Sequence, residues 1–182
     1  MERKLILGVT SSIAAINSPQ LAREFVKLGY DVKVLLTPGA LRFVTRKAFE
    51  DITGNKTHVA FEEEMGTSHI SLARFADIAL VAPASANFIA SLGLGLANNL
   101  LLTELLAFEG KLFIAPSMNP SMYHHPTQLN YRTILEKRGV TLIPPQKGEM
   151  ICGESGEGKM ASFESIFHAL AFNGLSGDSI FK

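Results

Sequence analysis

The sequence predicts an α/β fold, an open parallel sheet with helices packed on both faces. Three observations predict it. The run IALVAPA, Ile78 to Ala84, carries no charge and is compatible with a strand, as a strand covered on both faces must be. Short apolar runs alternate along the chain with helix-length segments, the pattern of repeated βα units. Several of those runs end in small polar residues, and ligands of open α/β sheets bind just beyond the carboxyl ends of the strands.

The chain of 182 residues with 47% hydrophobic content can fill one core, so a single domain over residues 1–182 is expected. Lys plus Arg and Asp plus Glu both count 17, which leaves no net field to attract nucleic acid or an anionic membrane. No run approaches the ~18 uncharged apolar residues of a membrane span. Met1-Glu2-Arg3-Lys4 leads straight into strand-like sequence rather than a signal-peptide core, so a cytoplasmic location is expected. The single cysteine, Cys152, excludes an internal disulfide and any multi-cysteine metal site, and no metal is expected.

Leu5 to Val9 reads as the first strand, and Thr10-Ser11-Ser12-Ile13-Ala14-Ala15 follows it before a helix running to about Leu28. Helix-start amides beside small hydroxyls suit a phosphate, although Ser11 and Ser12 also serve as plain helix caps. Only Gly8 stands where the dinucleotide fingerprint wants three glycines, so a mononucleotide phosphate matches better than NAD. Val32 to Leu36 repeats the pattern, and Thr37, before Pro38-Gly39-Ala40, reads either as an N-cap or as a second phosphate ligand. Residues 47–66 are charged; Glu62-Glu63-Glu64 and His58 are expected on the surface.

Ile70, Leu72, Ala73 and Ala76 recur at helical spacing before the buried strand Ile78 to Ala84, whose end carries Pro83, Ser85 and Asn87. Gly93, Gly95 and Asn98-Asn99 interrupt the helix that follows. Lys111 to Ala115 is a further strand, and the stretch PSMNPSMY after it reads as a loop of fixed shape rather than a helix. Its methionines can lie against a flat ring and Asn119 can both donate and accept, so it suits a flat cofactor and a polar substrate group, or else a structural turn. His124 and His125 lack acidic or cysteine partners at ligand spacing and are expected on the surface. Pro126 to Arg138 fits a helix and Val140 to Ile143 a last strand. Residues 147–160, with four glycines around Cys152, read as a flexible flap, Met160 to Ala171 as a closing helix, and Asn173 to Lys182 as a frayed end.

Four motifs, GVTSSIAA, the histidine of SHISLARFAD, PASAN, and PSMNPSMY followed by ICGESGEGKM, together and in this order resemble the homo-oligomeric flavin-containing cysteine decarboxylases. The resemblance runs from Leu5 to Met160. It implies a single-domain Rossmann-like, flavodoxin-like flavoprotein that binds FMN at the subunit interfaces of a homotrimer or an assembly of trimers. Ser11, Ser12, Ile13 and Thr37 would hold the FMN phosphate region, with Ser85, Ala86, Asn87 and Ser117 along the flavin. His69 matches the family's active-site histidine and Cys152 its proton-donating flap cysteine. Asn119, Met150 and Ile151 would contact the small-molecule substrate, Asn119 through its carboxylate.

The implied activity is FMN-dependent decarboxylation of 4'-phosphopantothenoyl-L-cysteine to 4'-phosphopantetheine in coenzyme A biosynthesis. Oxidation of the substrate CH2–SH to a thioaldehyde creates the electron sink, loss of carbon dioxide leaves an ene-thiol, and reduction with a proton donor restores the thiol. A peptidyl-cysteine decarboxylase of peptide-antibiotic maturation needs no reductive half, so the retained Cys152 argues against it. A flavin prenyltransferase lacks the flap, and a non-catalytic regulatory subunit typically carries long acidic extensions. A flavodoxin-like electron carrier leaves His69, Asn119 and Cys152 unexplained. Phe88, Asn98, Tyr123 and Asn17 depart from the commonest family pattern and bear on the shape of the pockets. The sequence lacks a synthetase domain, so a stand-alone decarboxylase, or one working with a separate phosphopantothenoylcysteine synthetase, is expected.

Overall fold

The computed structural model describes residues 3–60, 73–149, 153 and 155–174. Five strands, β1 (Arg3–Val9), β2 (Tyr30–Leu36), β3 (Ile78–Ala84), β4 (Lys111–Pro116) and β5 (Thr141–Leu142), form one sheet in the order β2-β1-β3-β4-β5. Every pairing is parallel. This is the flavodoxin-like order, and its direction of winding reverses between β1 and β3.

The alternation of side chains along each strand divides the core in two. Leu5, Leu7, Val34, Leu80 and Phe113 point to one face, against α1 (Ser18–Lys27), α2 (Arg46–Thr53) and the C-terminal helix Phe163–Gly174. Ile6, Leu35, Ala79, Val81 and Ile114 point to the other, against α3 (Ala86–Gly93), α4 (Leu100–Ala107) and the later helix Pro126–Lys137. Ile78–Ala84 is buried at all seven positions, as its uncharged sequence requires. Helix α1 buries Ser18, Leu21, Ala22 and Phe25, the i, i+3, i+4, i+7 stripe of a one-sided helix.

Helix starts follow local chemistry. Thr45, Ser85 and Asn99 each cap a helix by accepting a backbone N–H through the side chain. Gly54 closes α2 in the left-handed conformation, φ 71°. Gly93 and Gly95 end α3 and turn the chain toward Asn99, where the sequence placed the interruption.

The helix expected to run to about Leu28 is α1, and a 3-10 turn, Ile13–Asn17, precedes it, because Pro19 lacks an N–H and serves only in a first helical turn. Two expectations are corrected. His58 is 8% exposed rather than on the surface; its backbone joins the outer edge of β2, donating to Val34 O at 2.9 Å and accepting from Leu36 N at 2.8 Å. The stretch after β4 contains one helical turn, α5 (Pro120–Tyr123), started by Pro120 and capped by the Asn119 side chain. The described part of 147–160 is an antiparallel hairpin, β6 (Gln146–Glu149) with β7 (Ser155–Lys159). The remaining helices are α6 (Pro126–Lys137) and α7 (Phe163–Gly174), each within three residues of its expected limits. Among the described residues, no helix is long and apolar enough to cross a membrane.

Phe25 ties three elements together, edge-on to Tyr30 at 5.4 Å and to Phe167 at 4.8 Å between ring centroids. Phe25→Ala is expected to cost about 3–5 kcal/mol, seen as a lower urea midpoint with the slope unchanged.

Candidate functional site

The site lies at the carboxyl ends of β1 and β3, where the winding reverses. Thr10 bridges the two strand ends: its hydroxyl donates to Pro83 O at 2.9 Å and accepts from Ser85 N at 2.8 Å, while its own N–H donates to Pro83 O at 3.2 Å. Thr37 is tied in beside it, with Thr37 N donating to Val9 O at 3.0 Å. Ser117 N donates to Ala84 O at 2.9 Å, which holds the end of β4 to β3. Four strand ends, those of β1 to β4, therefore converge through backbone bonds and one buried hydroxyl.

Two cavities open here. The first, about 300 Å³, is lined by Thr10, Ser11, Thr37 and Gly39 and by the first turns of α3 and α4 through Ser85, Asn87 and Asn99. Among the described residues no charged side chain lines it. Hydroxyls, exposed amides and two helix N-termini without a carboxylate fit a bound phosphate group. Gly39 is required for the shape, since a Cβ there would stand 2.8 Å from Ser11 Cβ and 2.9 Å from its hydroxyl.

The second cavity, about 320 Å³, has apolar walls from Ile13, Ile16, Met160 and Phe163, with Asn17, Ser117 and the hairpin residues Gln146, Glu149 and Lys159 at its polar side. Ile13 and Ile16 remain 46% and 55% exposed. Such walls fit a flat ring system. Ser11 lines the first cavity and Ile13 the second, so the two open on either side of Ser12. The Ser12 hydroxyl donates to Ser117 Oγ at 3.0 Å and caps the 3-10 turn by accepting from Ala14 N at 3.4 Å.

The sequence-predicted residues are thus largely brought together. Ser11, Thr37, Ser85 and Asn87 share the first cavity, Ile13 and Ser117 the second, and Ser12 joins them. Thr37 occupies an N-cap position, yet its hydroxyl makes no cap bond and instead donates to Val9 O at 3.5 Å. Ser85 caps α3, accepting from Phe88 N at 3.3 Å. The Ala86 side chain packs in the core behind the cavities, and its carbonyl accepts from Gln128 Nε2 at 3.0 Å. Asn119 stands at the neck between β4 and α5, where its Oδ1 accepts from Ser121 N at 2.8 Å. His69, Met150, Ile151 and Cys152 lie outside the described residues.

The hairpin sits on this neck. Met118 N donates to Gly158 O at 3.0 Å, and Gly156 faces Pro120 so closely that a Cβ would lie 2.8 Å from the proline ring. The Glu157 carboxylate lies 3.5 Å from His124 Nε2 and 3.4 Å from Lys147 Nζ. Burial pushes the Tyr123 hydroxyl above the ordinary phenol value, against the opposing pull of Arg132.

Thr10, Gly39 and Arg132 are the residues that sequence reasoning passed over. Thr10 and Gly39 had a signal, the hydroxyl run after β1 and the glycine after Pro38; Arg132 had none. No group of three or more metal-binding side chains occurs among the described residues.

A family model described as Flavoprotein matches residues 1–173. The Coenzyme A biosynthesis bifunctional protein CoaBC of Haemophilus influenzae is 41% identical over 172 residues, covering 93% of this chain and 43% of that protein. The chain therefore spans less than half the length of such curated relatives. Among solved structures, a PPC decarboxylase mutant complexed with pantothenoylaminoethenethiol superposes with a TM-score of 0.85 at 28% identity, covering 94% of this chain and 98% of that one. The FMN binding protein AtHal3 superposes with a TM-score of 0.83 at 28% identity, covering 97% and 100%.

Thr10 supports the site independently of any ligand. Thr10→Val should strand the Ser85 N–H and cost about 1–3 kcal/mol, whereas Thr10→Ser should keep most of the wild-type stability; urea midpoints of the two variants check this.

Proposed function

The chain belongs to the Flavoprotein family, and from that premise we propose that it binds FMN and decarboxylates 4'-phosphopantothenoyl-L-cysteine to 4'-phosphopantetheine in coenzyme A biosynthesis. One observation carries this reading: a hydroxyl- and amide-rich cavity lined by Ser11 and Thr37 and a largely apolar one lined by Ile13 and Ser117 lie at the same strand ends, and residues of the β6–β7 hairpin, whose connection carries Cys152 in the sequence, line the second. The first fits the phosphate end of FMN through Ser11, Ser12 and Thr37, and the second its ring beside Ile13 and Ser117. The names of the related proteins, a coenzyme A biosynthesis protein, a PPC decarboxylase and an FMN binding protein, support the same assignment.

FMN bound there would supply the two-electron oxidation of the substrate CH2–SH and the return of those electrons after carbon dioxide leaves. The protein's own groups do the rest. Asn119 receives the substrate carboxylate, with Met150 and Ile151 against the substrate chain. His69 acts as base or electrostatic partner while the thiol carbon is oxidised, a task suited to an imidazole that changes charge near neutral pH. Cys152 gives a proton to the ene-thiol carbon and so completes the saturated thiol. In this reading residues 1–182 are one flavoprotein domain, 147–160 is its flexible flap, and the protein works in the cytoplasm as a homotrimer or an assembly of trimers with sites at the subunit interfaces. A phosphopantothenoylcysteine synthetase, fused or separate, supplies the substrate.

Incubating the FMN-loaded protein with 4'-phosphopantothenoyl-cysteine should give a product lighter by one carbon dioxide with no net loss of hydrogen, by mass spectrometry. A product a further two hydrogens lighter would move the reading to peptidyl-cysteine decarboxylases, and no reaction with FMN bound would overturn the decarboxylase assignment. Cys152→Ser should still release carbon dioxide while accumulating the oxidised ene-thiol, and His69→Asn should release none; clean reduced product from the first, or near-normal turnover by the second, would remove that residue from its role.

A further inference from the structure

Arg132, on α6, is 7% exposed, and a buried guanidinium is costly unless its surroundings repay the loss of water. Among the described residues no carboxylate pairs with it. Its Nη2 donates to Tyr123 O at 2.8 Å, its Cζ lies 3.6 Å from the Tyr123 ring centroid, and its Nε has no hydrogen-bond partner. Both contacts fall on one residue, the last of α5. A single helical turn cannot hold itself together, because fixing its dihedrals outweighs its few hydrogen bonds. Across α5 those bonds are Tyr123 N to Asn119 O at 2.9 Å and His124 N to Pro120 O at 3.0 Å. Arg132 satisfies the carbonyl at the C-terminal end of the turn, where a cation is favourable, and stacks on its only aromatic ring. The other end of the same turn is capped by the Asn119 side chain.

We propose that Arg132 is a positioning residue for Asn119: by stacking on Tyr123 and binding its carbonyl, it locks the one-turn helix whose N-cap is the residue that receives the substrate carboxylate. The proposal rests on that reading of Asn119. It assigns a reason to a buried charge without a carboxylate partner among the described residues, and it couples α6, whose Gln128 also holds the first turn of α3, to substrate recognition. Lysine cannot replace it fully, since an ammonium has no plane to lay on the ring.

The test uses two unreactive ligands that differ only in the carboxylate, 4'-phosphopantothenoyl-serine and 4'-phosphopantothenoyl-ethanolamine, titrated calorimetrically into the FMN-loaded protein. Wild type should prefer the carboxylate ligand. Arg132→Met should lose about tenfold in affinity for it, the scale of one hydrogen bond to a charged group, and nothing for the other ligand. Asn119→Ala should show the same selective loss, and the double variant should lose no more than Asn119→Ala alone. Arg132→Lys, which keeps the buried charge, should lose part of the preference. Equal weakening of both ligands, additive losses, or full preference retained in either Arg132 variant would overturn the proposal while leaving Asn119 in place. A wild type with no preference would overturn the reading of Asn119 and the proposal with it.

Discussion

The parallel pairing of β1 with β3, Leu5 opposite Ile78 through Gly8 opposite Val81, is the constraint from which the site follows. Both strands run the same way, yet the sheet continues from β1 to β2 on one side and from β3 to β4 on the other. The chain leaves the two strand ends in opposite directions, and a crevice opens between the departing loops. Thr10 spans that crevice with one hydroxyl serving both sides, because buried backbone groups at diverging strand ends would otherwise lack partners. The first turns of α3 and α4 then face the opening with amides that no helical carbonyl can reach.

From this geometry the division of the site is a matter of polarity. Hydroxyls and helix starts gather on the side of Ser11, and the exposed isoleucines of the 3-10 turn lie on the side of Ile13. One residue, Ser12, separates an anion-compatible wall from an apolar one. The 3-10 turn matters here, since its tighter winding leaves Ile13 and Ile16 exposed in the lining of the second cavity. The hairpin and the neck around α5 meet through Met118, Gly156 and the carboxylate of Glu157, so the two are joined parts of one assembly.

What the sequence revealed depended on how local the cause was. Ile78–Ala84 was legible to the residue, because a strand covered on both faces cannot carry a charge anywhere along its length. The hydroxyls after β1, β2 and β3 were legible as a group, but not their separate duties. Ser85 caps its own helix, but whether Thr37 bonds back to Val9 or Ser12 reaches Ser117 is decided by contacts between segments 28 and 105 positions apart. His58 was misplaced because its burial comes from pairing with the edge of β2, which no local periodicity records. The turn at Pro120 reads as loop in the sequence because proline weighs against a helix everywhere except the first turn, where this one stands. Arg132 looks like an ordinary helix-surface charge until α6 is laid against α5.

The sheet margins have a bearing on how copies of the chain can meet. The outer edge of β2 is occupied by the backbone of His58 and by Asn55, whose Nδ2 donates to Val32 O at 3.0 Å. At the opposite margin β5 is only two residues long. Among the described residues neither border offers a long continuous row of free backbone groups for another sheet to extend, and long open borders of that kind are what seed intermolecular β-pairing and fibre growth. Open-ended ribbon growth through these two borders is therefore disfavoured.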